Sequence, residues 1–376
     1  MFSLTANIAR VLVPFVLFNP FTSFFHLKQK EGRKEASVPK HEVKFELLDY
    51  DEPMEVHKRA QSKFLGISTG VGTSVYKGKS ELSRPEPAYL AWRIECDDEV
   101  KFDEYTVYFS ENSDMSDARE YVTSDEEIKI YNVLLGETYY WYVESEYDGE
   151  TYKSDVSSFE TEPDAPRNLF IDGVTNARDM GGWRCDGGKV KQGMIFRTGQ
   201  IHDDCGAIIT EDGMKTMLDE LGIKTEIDLR NDITRTDFGV LGEKVKYVVL
   251  PMSFSDNMML DGVHAGYIRD FFKILADEDN YPVFFHCVIG TDRTGVCAFL
   301  LNGLLGVAEE DLYRDYRFSN FGFIGGERDG HNIAHDIELL DAYDGETLSD
   351  RIASYLISIG VTEEEISLIK DILIEK

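Results

Sequence analysis

A cysteine and an arginine lie close together in one short segment, which runs from His286 to Gly295 and reads HCVIGTDRTG. A thiolate is a strong nucleophile, and a guanidinium offers a planar fork of donors that matches two phosphate oxygens. The pattern of Cys287, five intervening residues and Arg293 therefore predicts nucleophilic attack on a phosphate ester whose phosphate is bound by the arginine.

The flanking residues predict how these groups are positioned. Val283 to Phe285 form a short apolar run, which is typical of a strand buried on both faces. Apolar residues recur at helical spacing from Val296 to Leu305, and Gly306 stands where a helix C-cap would. A loop before a helix N-terminus directs backbone N–H groups at one point, and the helix dipole favours an anion and a thiolate there. The predicted phosphate-binding residues are Val288, Ile289, Gly290, Thr291, Asp292, Arg293 and Thr294.

The order of residues in this segment resembles the signature of protein tyrosine phosphatases. Its fuller form, HCxxGxDRTG, is similar to that of a subgroup of bacterial tyrosine and phosphoinositide phosphatases, which are often secreted. The subgroup usually has Lys before the Asp, whereas this chain has Thr291, which removes a positive charge from the rim of the site. The resemblance implies an α/β domain with a central, mostly parallel sheet, which hydrolyses phosphomonoesters without a metal or an organic cofactor.

We infer a two-step reaction from these residues. Cys287 attacks phosphorus and displaces the alcohol or phenol, and water then hydrolyses the thiophosphate. Arg293 and the loop amides stabilise the charge on the equatorial oxygens. We expect His286 to order the loop through hydrogen bonds to its carbonyl groups. Thr294 is expected to donate its hydroxyl to the thiolate or to assist the second step.

The leaving oxygen needs a proton, and three carboxyl groups are candidates for supplying it. Asp292 ranks first because it lies inside the loop, and its alternative role is an ion pair with Arg178 or Arg230. Asp256 follows a predicted strand, in a region where relatives often place a mobile acid-bearing loop. Asp228 is the third candidate.

Two further segments resemble elements of the same phosphatases. The segment NARDMGG at 176–182 contains Arg178, which either reaches the substrate phosphate or braces the loop. The segment EIDLR at 226–230 predicts a strand that ends near Asp228 and Arg230. Ligands gather at the carboxyl ends of strands in open α/β sheets, so we expect both residues to lie beside the loop of Cys287.

The residues before these motifs predict a separate β domain. Apolar and polar residues alternate at 88–94, 105–109, 128–133 and 139–143, and we find no long helical periodicity between 41 and 162. Trp92 and the turn at Leu134, Gly136 and Tyr139 resemble a fibronectin type III domain over residues 84–162. Prolines at 163 and 166 mark the boundary with a catalytic domain at 167–376, which we expect to fold and act without the β-sandwich of residues 41–162.

Composition bounds the partners and the location. The chain has 376 residues and a net charge of −31, which argues against nucleic acid and anionic membranes as general partners. Its five cysteines are sparse and odd in number, which favours free thiols. An apolar run at 11–18 behind Arg10 predicts an export or anchor segment in residues 1–40, with membrane or cell-envelope contact through residues 8–25. A secreted or envelope location is therefore favoured over a cytoplasmic one.

Phosphotyrosine in proteins is the substrate that we expect, with a small phosphomonoester as an alternative. Dual-specificity and phosphoinositide phosphatase activities stay open, because the depth of the pocket is not readable from the sequence. A protein that recognises phosphate without turnover is the alternative of another class, and the intact Cys287 and Arg293 argue against it. A sulfurtransferase also has a reactive cysteine in an anion-binding loop, but the Arg-Thr-Gly at phosphatase spacing disfavours it.

Overall fold

The structure, a computed structural model, describes residues 41–67, 76–96, 100–231 and 239–376. The export or anchor segment predicted for residues 1–40 lies outside the described residues. Within the described ranges, no helix is both long enough and apolar enough to span a membrane.

Two antiparallel sheets lie in the described part of the chain before residue 161. Their strands are β1 (Val43–Leu47), β2 (Ala88–Cys96), β3 (Tyr105–Ser110), β4 (Arg119–Thr123), β5 (Glu127–Ile130), β6 (Thr138–Tyr147), β7 (Glu150–Lys153) and β8 (Ser157–Glu160). One sheet has the order β1-β2-β5 and the other β4-β3-β6-β7, with β8 also paired to β6. Trp92 and Tyr105 come from different sheets and share one apolar core, with ring centroids 5.3 Å apart. The alternating segments of the sequence therefore do form strands that bury one face.

A short helix interrupts this region, and it does not conflict with the expectation of no long helical periodicity between 41 and 162. Helix α1 (Arg59–Leu65) has seven residues, about two turns, which is too short to show a clear period of about 3.6. Its Phe64 packs against Phe318 and Phe321, which belong to the predicted catalytic domain. The Leu82 N–H continues this contact by donating to the Phe321 carbonyl at 2.6 Å. His41–Lys376 accordingly form one compact unit.

The rest of the chain alternates strands and helices. Its strands are β9 (Arg178–Asp179), β10 (Arg184–Cys185), β11 (Gly188–Val190), β12 (Ile195–Thr198), β13 (His202–Asp203), β14 (Gly206–Ala207), β15 (Thr225–Asp228), β16 (Lys246–Val249), β17 (Val283–His286) and β18 (Ile374–Glu375). Its α-helices are α2 (Glu211–Lys215), α3 (Gly262–Leu275), α4 (Arg293–Leu304), α5 (Glu309–Phe318), α6 (His331–Leu340), α7 (Leu348–Ser358) and α8 (Glu363–Leu373). A π-helical turn at Thr216–Glu220 and 3-10 turns at Glu278–Asn280 and Ser319–Phe321 complete the helical segments.

The central sheet has the order β16-β15-β17-β12-β9. Its first four strands are parallel, and β9 pairs antiparallel with β12. This confirms the predicted α/β domain with a mostly parallel sheet. On β17, Phe284 belongs to one apolar cluster and Phe285 to another, which explains why the strand sequence is apolar without alternation.

Helix α4 packs at the centre of this domain. Every residue from Thr294 to Leu304 is buried, as expected for a helix that is apolar on all sides. This packing fixes the N-terminus of α4 at the carboxyl edge of the central sheet.

Candidate active site

The residues from Cys287 to Asp292 connect the carboxyl end of β17 to the N-terminus of α4. We call this segment the cradle loop. Cys287 opens the loop and is 1% exposed. The parallel strands β12, β15 and β16 end at the same edge of the sheet. The predicted order of strand, loop and helix is thus confirmed, and the dipole of α4 favours an anion at the loop.

Successive carbonyl groups of the cradle loop accept hydrogen bonds from outside it. The Val288 carbonyl accepts a hydrogen bond at 3.0 Å from the backbone N–H of Gln200, which lies just after β12. The Asn176 side-chain amide donates to the carbonyls of Ile289 and Gly290, both at 3.1 Å. In contrast, the N–H groups of residues 288–292 donate to no other group in the described part of the chain. Amide groups that are fixed in this way form a preorganised site for an anion.

Gly290 allows the loop to turn so closely against β12. Its φ angle is +69°, in the left-handed region that favours glycine. A Cβ atom at this position would also lie 2.4 Å from the Thr198 carbonyl oxygen. Any larger residue would therefore displace the loop from the strand.

Two buried arginines and a buried aspartate brace the cradle loop from behind. The Asp315 carboxylate accepts from Arg178 Nε at 2.7 Å and from Arg197 Nη1 at 2.5 Å. Arg197 also donates to the Gly290 carbonyl at 2.8 Å. Arg178 donates to the side-chain oxygen of Asn176 at 2.6 Å. Of the two roles predicted for Arg178, the contacts support bracing of the loop.

The charges of this cluster do not cancel. Burial raises the pKa of Asp315, but the charges and hydrogen bonds of Arg178 and Arg197 outweigh it and hold the pKa below its ordinary value. Burial and the like charge of Arg178 lower the pKa of Arg197 to about 10, although Asp315 opposes this. Two guanidiniums thus surround one carboxylate, which leaves net positive charge behind the loop and favours an anion in front of it.

His286 ties the cradle loop to β15. Its Nδ1 lies 3.4 Å from the Cys287 carbonyl oxygen, which agrees with the expected contact to a loop carbonyl. Its Nε2 lies 3.1 Å from a side-chain oxygen of the buried Glu226. Both ring nitrogens face oxygen atoms, so the ring orientation is fixed. The sequence analysis missed Glu226, although a charged residue inside a predicted buried strand was the signal that could have identified it.

Arg293 begins α4 and reaches along the carboxyl edge of the sheet. Its Nη1 donates to the Met252 carbonyl at 3.2 Å and lies 3.5 Å from the side-chain oxygen of Asn231. These two contacts come from the chain after β16 and the chain after β15. They hold the guanidinium at the carboxyl ends of β15 and β16, and its phosphate-binding role stays a prediction.

Asp292 is paired with a residue that the sequence analysis did not consider. Arg328 Nε donates to one oxygen of the Asp292 carboxylate at 2.9 Å, and Nη2 donates to the other at 3.1 Å. The alternative role predicted for Asp292 was an ion pair with Arg178 or Arg230. The ion pair does form, but its partner comes from the loop between α5 and α6. No local pattern links Asp292 to this loop, since the contact depends on how α5 folds back.

The two threonines of the motif are both buried. Thr291 is fully buried, and its hydroxyl oxygen lies 3.2 Å from the Asn176 side-chain amide. Thr294 is also fully buried, and its hydroxyl has no hydrogen-bond partner among the described residues. The expected donation from Thr294 to Cys287 is therefore not formed in this structure, and its alternative role in the second step stays a prediction.

Asp228 and Arg230 form their own buried pair at the end of β15. The Asp228 carboxylate accepts from Arg230 Nε at 2.9 Å, from Arg230 Nη2 at 2.8 Å and from the Tyr247 hydroxyl at 2.8 Å. Burial raises the pKa of Asp228, but Arg230 and His286 outweigh it and hold the pKa well below its ordinary value. Asp228 lies beside His286 in the sheet register, as the topology predicted. It stays ionised, however, and is a poor proton donor.

Asp256 lines a pocket of about 140 Å³ between the loop after β16 and helix α6. The pocket also contains Val296 from the first turn of α4, together with Phe254, Ser255, His331, Asn332, His335 and Asp336. Burial and the charge of Asp256 raise the pKa of Asp336 to about 7. Asp336 is 5% exposed, and one of its carboxylate oxygens has no hydrogen-bond partner among the described residues. The sequence analysis missed it, because one acidic residue on an amphipathic helix carries no signal of burial.

A buried cysteine at the carboxyl end of a central strand, within a loop of oriented amides, is the arrangement of a cysteine-based phosphatase. The model of the tyrosine phosphatase family matches residues 169–375. The chain belongs to this family.

Two relatives have matching names. A protein of Cupriavidus necator, provisionally named a tyrosine-protein phosphatase, is 26% identical over 178 residues, which cover 41% of this chain and 63% of that protein. A tyrosine-protein phosphatase of Nostoc commune is 25% identical over 203 residues, which cover 42% of this chain and 69% of that protein. The first match thus spans less than two thirds of the relative.

Two solved structures of the catalytic core of Siw14, a PP-IP phosphatase from S. cerevisiae, also match. One is 14% identical with a TM-score of 0.27, and it covers 39% of this chain and 84% of that chain. The other is 15% identical with a TM-score of 0.29, and it covers 45% of this chain and 90% of that chain.

Proposed function

We propose that this protein hydrolyses phosphotyrosine in proteins through a phosphocysteine at Cys287. The observation that carries the proposal is the cradle loop, whose carbonyls are held by Asn176 and Arg197 while its amides have no acceptor in the described chain. A buried thiolate within such a loop can attack a phosphate that the amides hold. Arg293 contributes two parallel donors to the equatorial oxygens.

The reaction proceeds in two displacement steps. The Cys287 sulfur forms a bond to phosphorus while the bond to the leaving oxygen breaks, and Asp292 supplies a proton to that oxygen. Water then attacks phosphorus and the sulfur–phosphorus bond breaks, while the Asp292 carboxylate accepts a proton from the water. Charge develops on the equatorial oxygens, next to Arg293 and the loop amides.

Three points support phosphotyrosine over the other phosphomonoesters. The family and both relatives carry the name of tyrosine phosphatases. Thr291 is buried and bonded to Asn176, so this position adds no cation for a multiply charged headgroup. The net charge of −31 opposes the approach of a polyanion.

A substrate panel tests this proposal. The protein is incubated separately with a phosphotyrosine peptide, a phosphoserine peptide, a phosphoinositide in vesicles and nitrophenyl phosphate. Release of phosphate from each is measured. We expect the highest kcat/KM among the physiological classes for the phosphotyrosine peptide. Cys287→Ser should abolish turnover, whereas Cys205→Ser, at an exposed free cysteine, should leave it intact. Preference for the phosphoinositide would contradict the substrate, and activity in Cys287→Ser would contradict the nucleophile.

We also infer that the sheets of residues 88–160 are a fibronectin type III-like module that orients the catalytic part. The core shared by Trp92 and Tyr105 supports a sandwich of this kind. The module contacts the catalytic part directly, since the Asn132 side-chain oxygen accepts from the Phe170 N–H at 2.7 Å. An experimental structure of the β1–β8 region in which the two sheets do not pack face to face would contradict this.

A further inference from the structure

Arg328 contacts the cradle loop, and each of its three guanidinium nitrogens lies within 3.5 Å of an oxygen atom. Its Nε and Nη2 atoms donate to the two oxygens of Asp292 at 2.9 and 3.1 Å. Its Nη1 lies 3.3 Å from the Gly326 carbonyl oxygen and 3.4 Å from that of Glu327. The guanidinium therefore faces the loop that holds the nucleophile, on the side of Asp292.

The backbone of Arg328 is held in place. Asn320 accepts from the Arg328 N–H and donates to the Arg328 carbonyl, both at 2.7 Å. Its side chain, in contrast, is 24% exposed, which leaves room for the guanidinium to change partners. A fixed backbone and a partly exposed side chain together allow Arg328 to reach a nearby group by a change of rotamer, without any movement of the domain.

The charge of the nucleophile also acts on Arg328. The hydrogen bond with Asp292 raises the pKa of Arg328, burial opposes this, and the charges of Asp292 and Cys287 raise it further. Arg328 is thus close enough to Cys287 to respond to a thiolate there. A phosphate bound above Cys287 would carry more negative charge than the thiolate and would attract the same guanidinium more strongly.

The pairing in this structure also conflicts with the role proposed for Asp292. Both oxygens of its carboxylate accept hydrogen bonds from Arg328. The bidentate pair fixes the orientation of the carboxylate toward Arg328, so Asp292 cannot turn toward the leaving oxygen of a substrate while both bonds are intact. Departure of Arg328 toward another anion removes this obstacle.

We propose that Arg328 is a second phosphate-binding residue, which leaves Asp292 for an oxygen of the substrate phosphate and so frees Asp292 to carry the proton. This inference rests on the proposed function and adds to it the group that recognises the phosphate beside Arg293. Arg328 then exchanges its hydrogen bonds to Asp292 for hydrogen bonds to the substrate phosphate, and this exchange frees Asp292.

Binding of inorganic phosphate tests the inference without turnover. The probe is titrated by calorimetry into Cys287→Ser and into the same protein with Arg328→Gln added. A hydrogen bond between a guanidinium and phosphate contributes about 1.5–3 kcal/mol, so we expect at least a tenfold weaker Kd in the double variant. Arg328→Lys should recover part of the affinity, because a point charge keeps one contact. Arg314→Gln, on the surface of α5 with Glu310 and Asp311 as partners, is the matched control and should bind as Cys287→Ser does.

Kinetics on active protein separate binding from a structural role. Arg328→Gln should raise the inhibition constant of inorganic phosphate by about the same factor as the Kd. The Tm of this variant should stay close to that of the wild type. An unchanged Kd would overturn the inference, and so would an equal loss in Arg328→Lys and Arg328→Gln together with a large drop in Tm. Failure of the proposed function is recognised separately, since wild-type protein would then bind phosphate but release none from any ester.

Discussion

Asp315 on α5 lies between Arg178 and Arg197 and accepts hydrogen bonds from both, at 2.7 and 2.5 Å. The three side chains are at least nine-tenths buried. Arg197 donates directly to the Gly290 carbonyl of the cradle loop. Arg178 acts through Asn176, whose side-chain amide donates to the same carbonyl. One carboxylate on a helix thus fixes the backbone that holds the phosphate.

Loss of this carboxylate should impair both folding and activity. Asp315→Ala leaves two buried guanidiniums without their counter-charge, and we expect a loss of about 3–5 kcal/mol in the free energy of unfolding. Urea denaturation measures it. The control is Asp311→Ala on the same helix, where a partly exposed pair with Arg314 is worth at most about 1 kcal/mol. Equal destabilisation by the two variants would show that Asp315 is not the organising residue.

Replacement of the proposed acid should depend on the leaving group. Proton donation is worth roughly 10²–10⁴-fold in rate, and an acidic leaving group needs it less. Asp292→Asn should therefore be slow on an alkyl phosphate and much less affected on nitrophenyl phosphate, with alcohol release followed in a single turnover. If both substrates slow equally, Asp292 only holds the loop through Arg328. Asp256 is then the next residue to test, since it lines the adjacent pocket.

The buried carboxyl group of Asp336 should make stability depend on pH. Its pKa in the folded protein is raised to about 7 from 3.8, so between these values the folded state binds more protons than the unfolded state. This contribution is fully present below about pH 4 and is lost as the pH rises through 7. Its size is up to roughly 4 kcal/mol, at about 1.4 kcal/mol for each pH unit of the difference.

Asp336→Asn should remove this dependence. Urea denaturation of wild type and variant at pH 5 and pH 8 gives the comparison, and we expect the variant to gain stability relative to wild type at the higher pH. Wild type and variant that differ by the same amount at both pH values would show that Asp336 is ionised throughout. Asp341→Asn, at an exposed site near the end of α6, controls for the loss of one charge.

Helix α1 should contribute to the stability of the catalytic part. Phe64 is 9% exposed and packs on Phe318 and Phe321, so Phe64→Ala should cost about 3–5 kcal/mol. Val122→Ala, at a residue that is 59% exposed, should stay within about 0.5 kcal/mol. The same contact bears on the sequence-based expectation that a fragment from residue 167 folds alone. We now expect that fragment to be less stable than His41–Lys376, and equal denaturation midpoints would contradict this.

The sequence predicted the parts of the site that are contiguous along the chain. Strand β17, the cradle loop and α4 were expected because apolar runs and one motif mark them without reference to the rest of the fold. Helix α1 was missed because it is too short to show a period. Strands β2, β3, β5 and β6 were recognised from alternation, the pattern of strands that bury one face.

The contacts that support the site were not predictable in the same way. Arg197 and Asp315 are 118 positions apart, and Asp292 and Arg328 are 36 apart. Such pairs are determined by how α5 and the loop after it pack on the sheet, which no local pattern records. Charged residues inside predicted buried elements, such as Arg197 on β12, were the available signal. They indicate that a partner must exist, but not which one.

The central claim is the covalent phosphocysteine, and trapping it is the most direct test. His41–Lys376 is mixed with nitrophenyl phosphate, quenched in acid within the first turnover, digested and examined by mass spectrometry. The account predicts one added phosphoryl group on the peptide that contains Cys287, absent in Cys287→Ser and present in Cys205→Ser. A phosphoryl group on another residue would contradict the account. So would full single-turnover hydrolysis with no phosphorylated peptide and undiminished activity in Cys287→Ser.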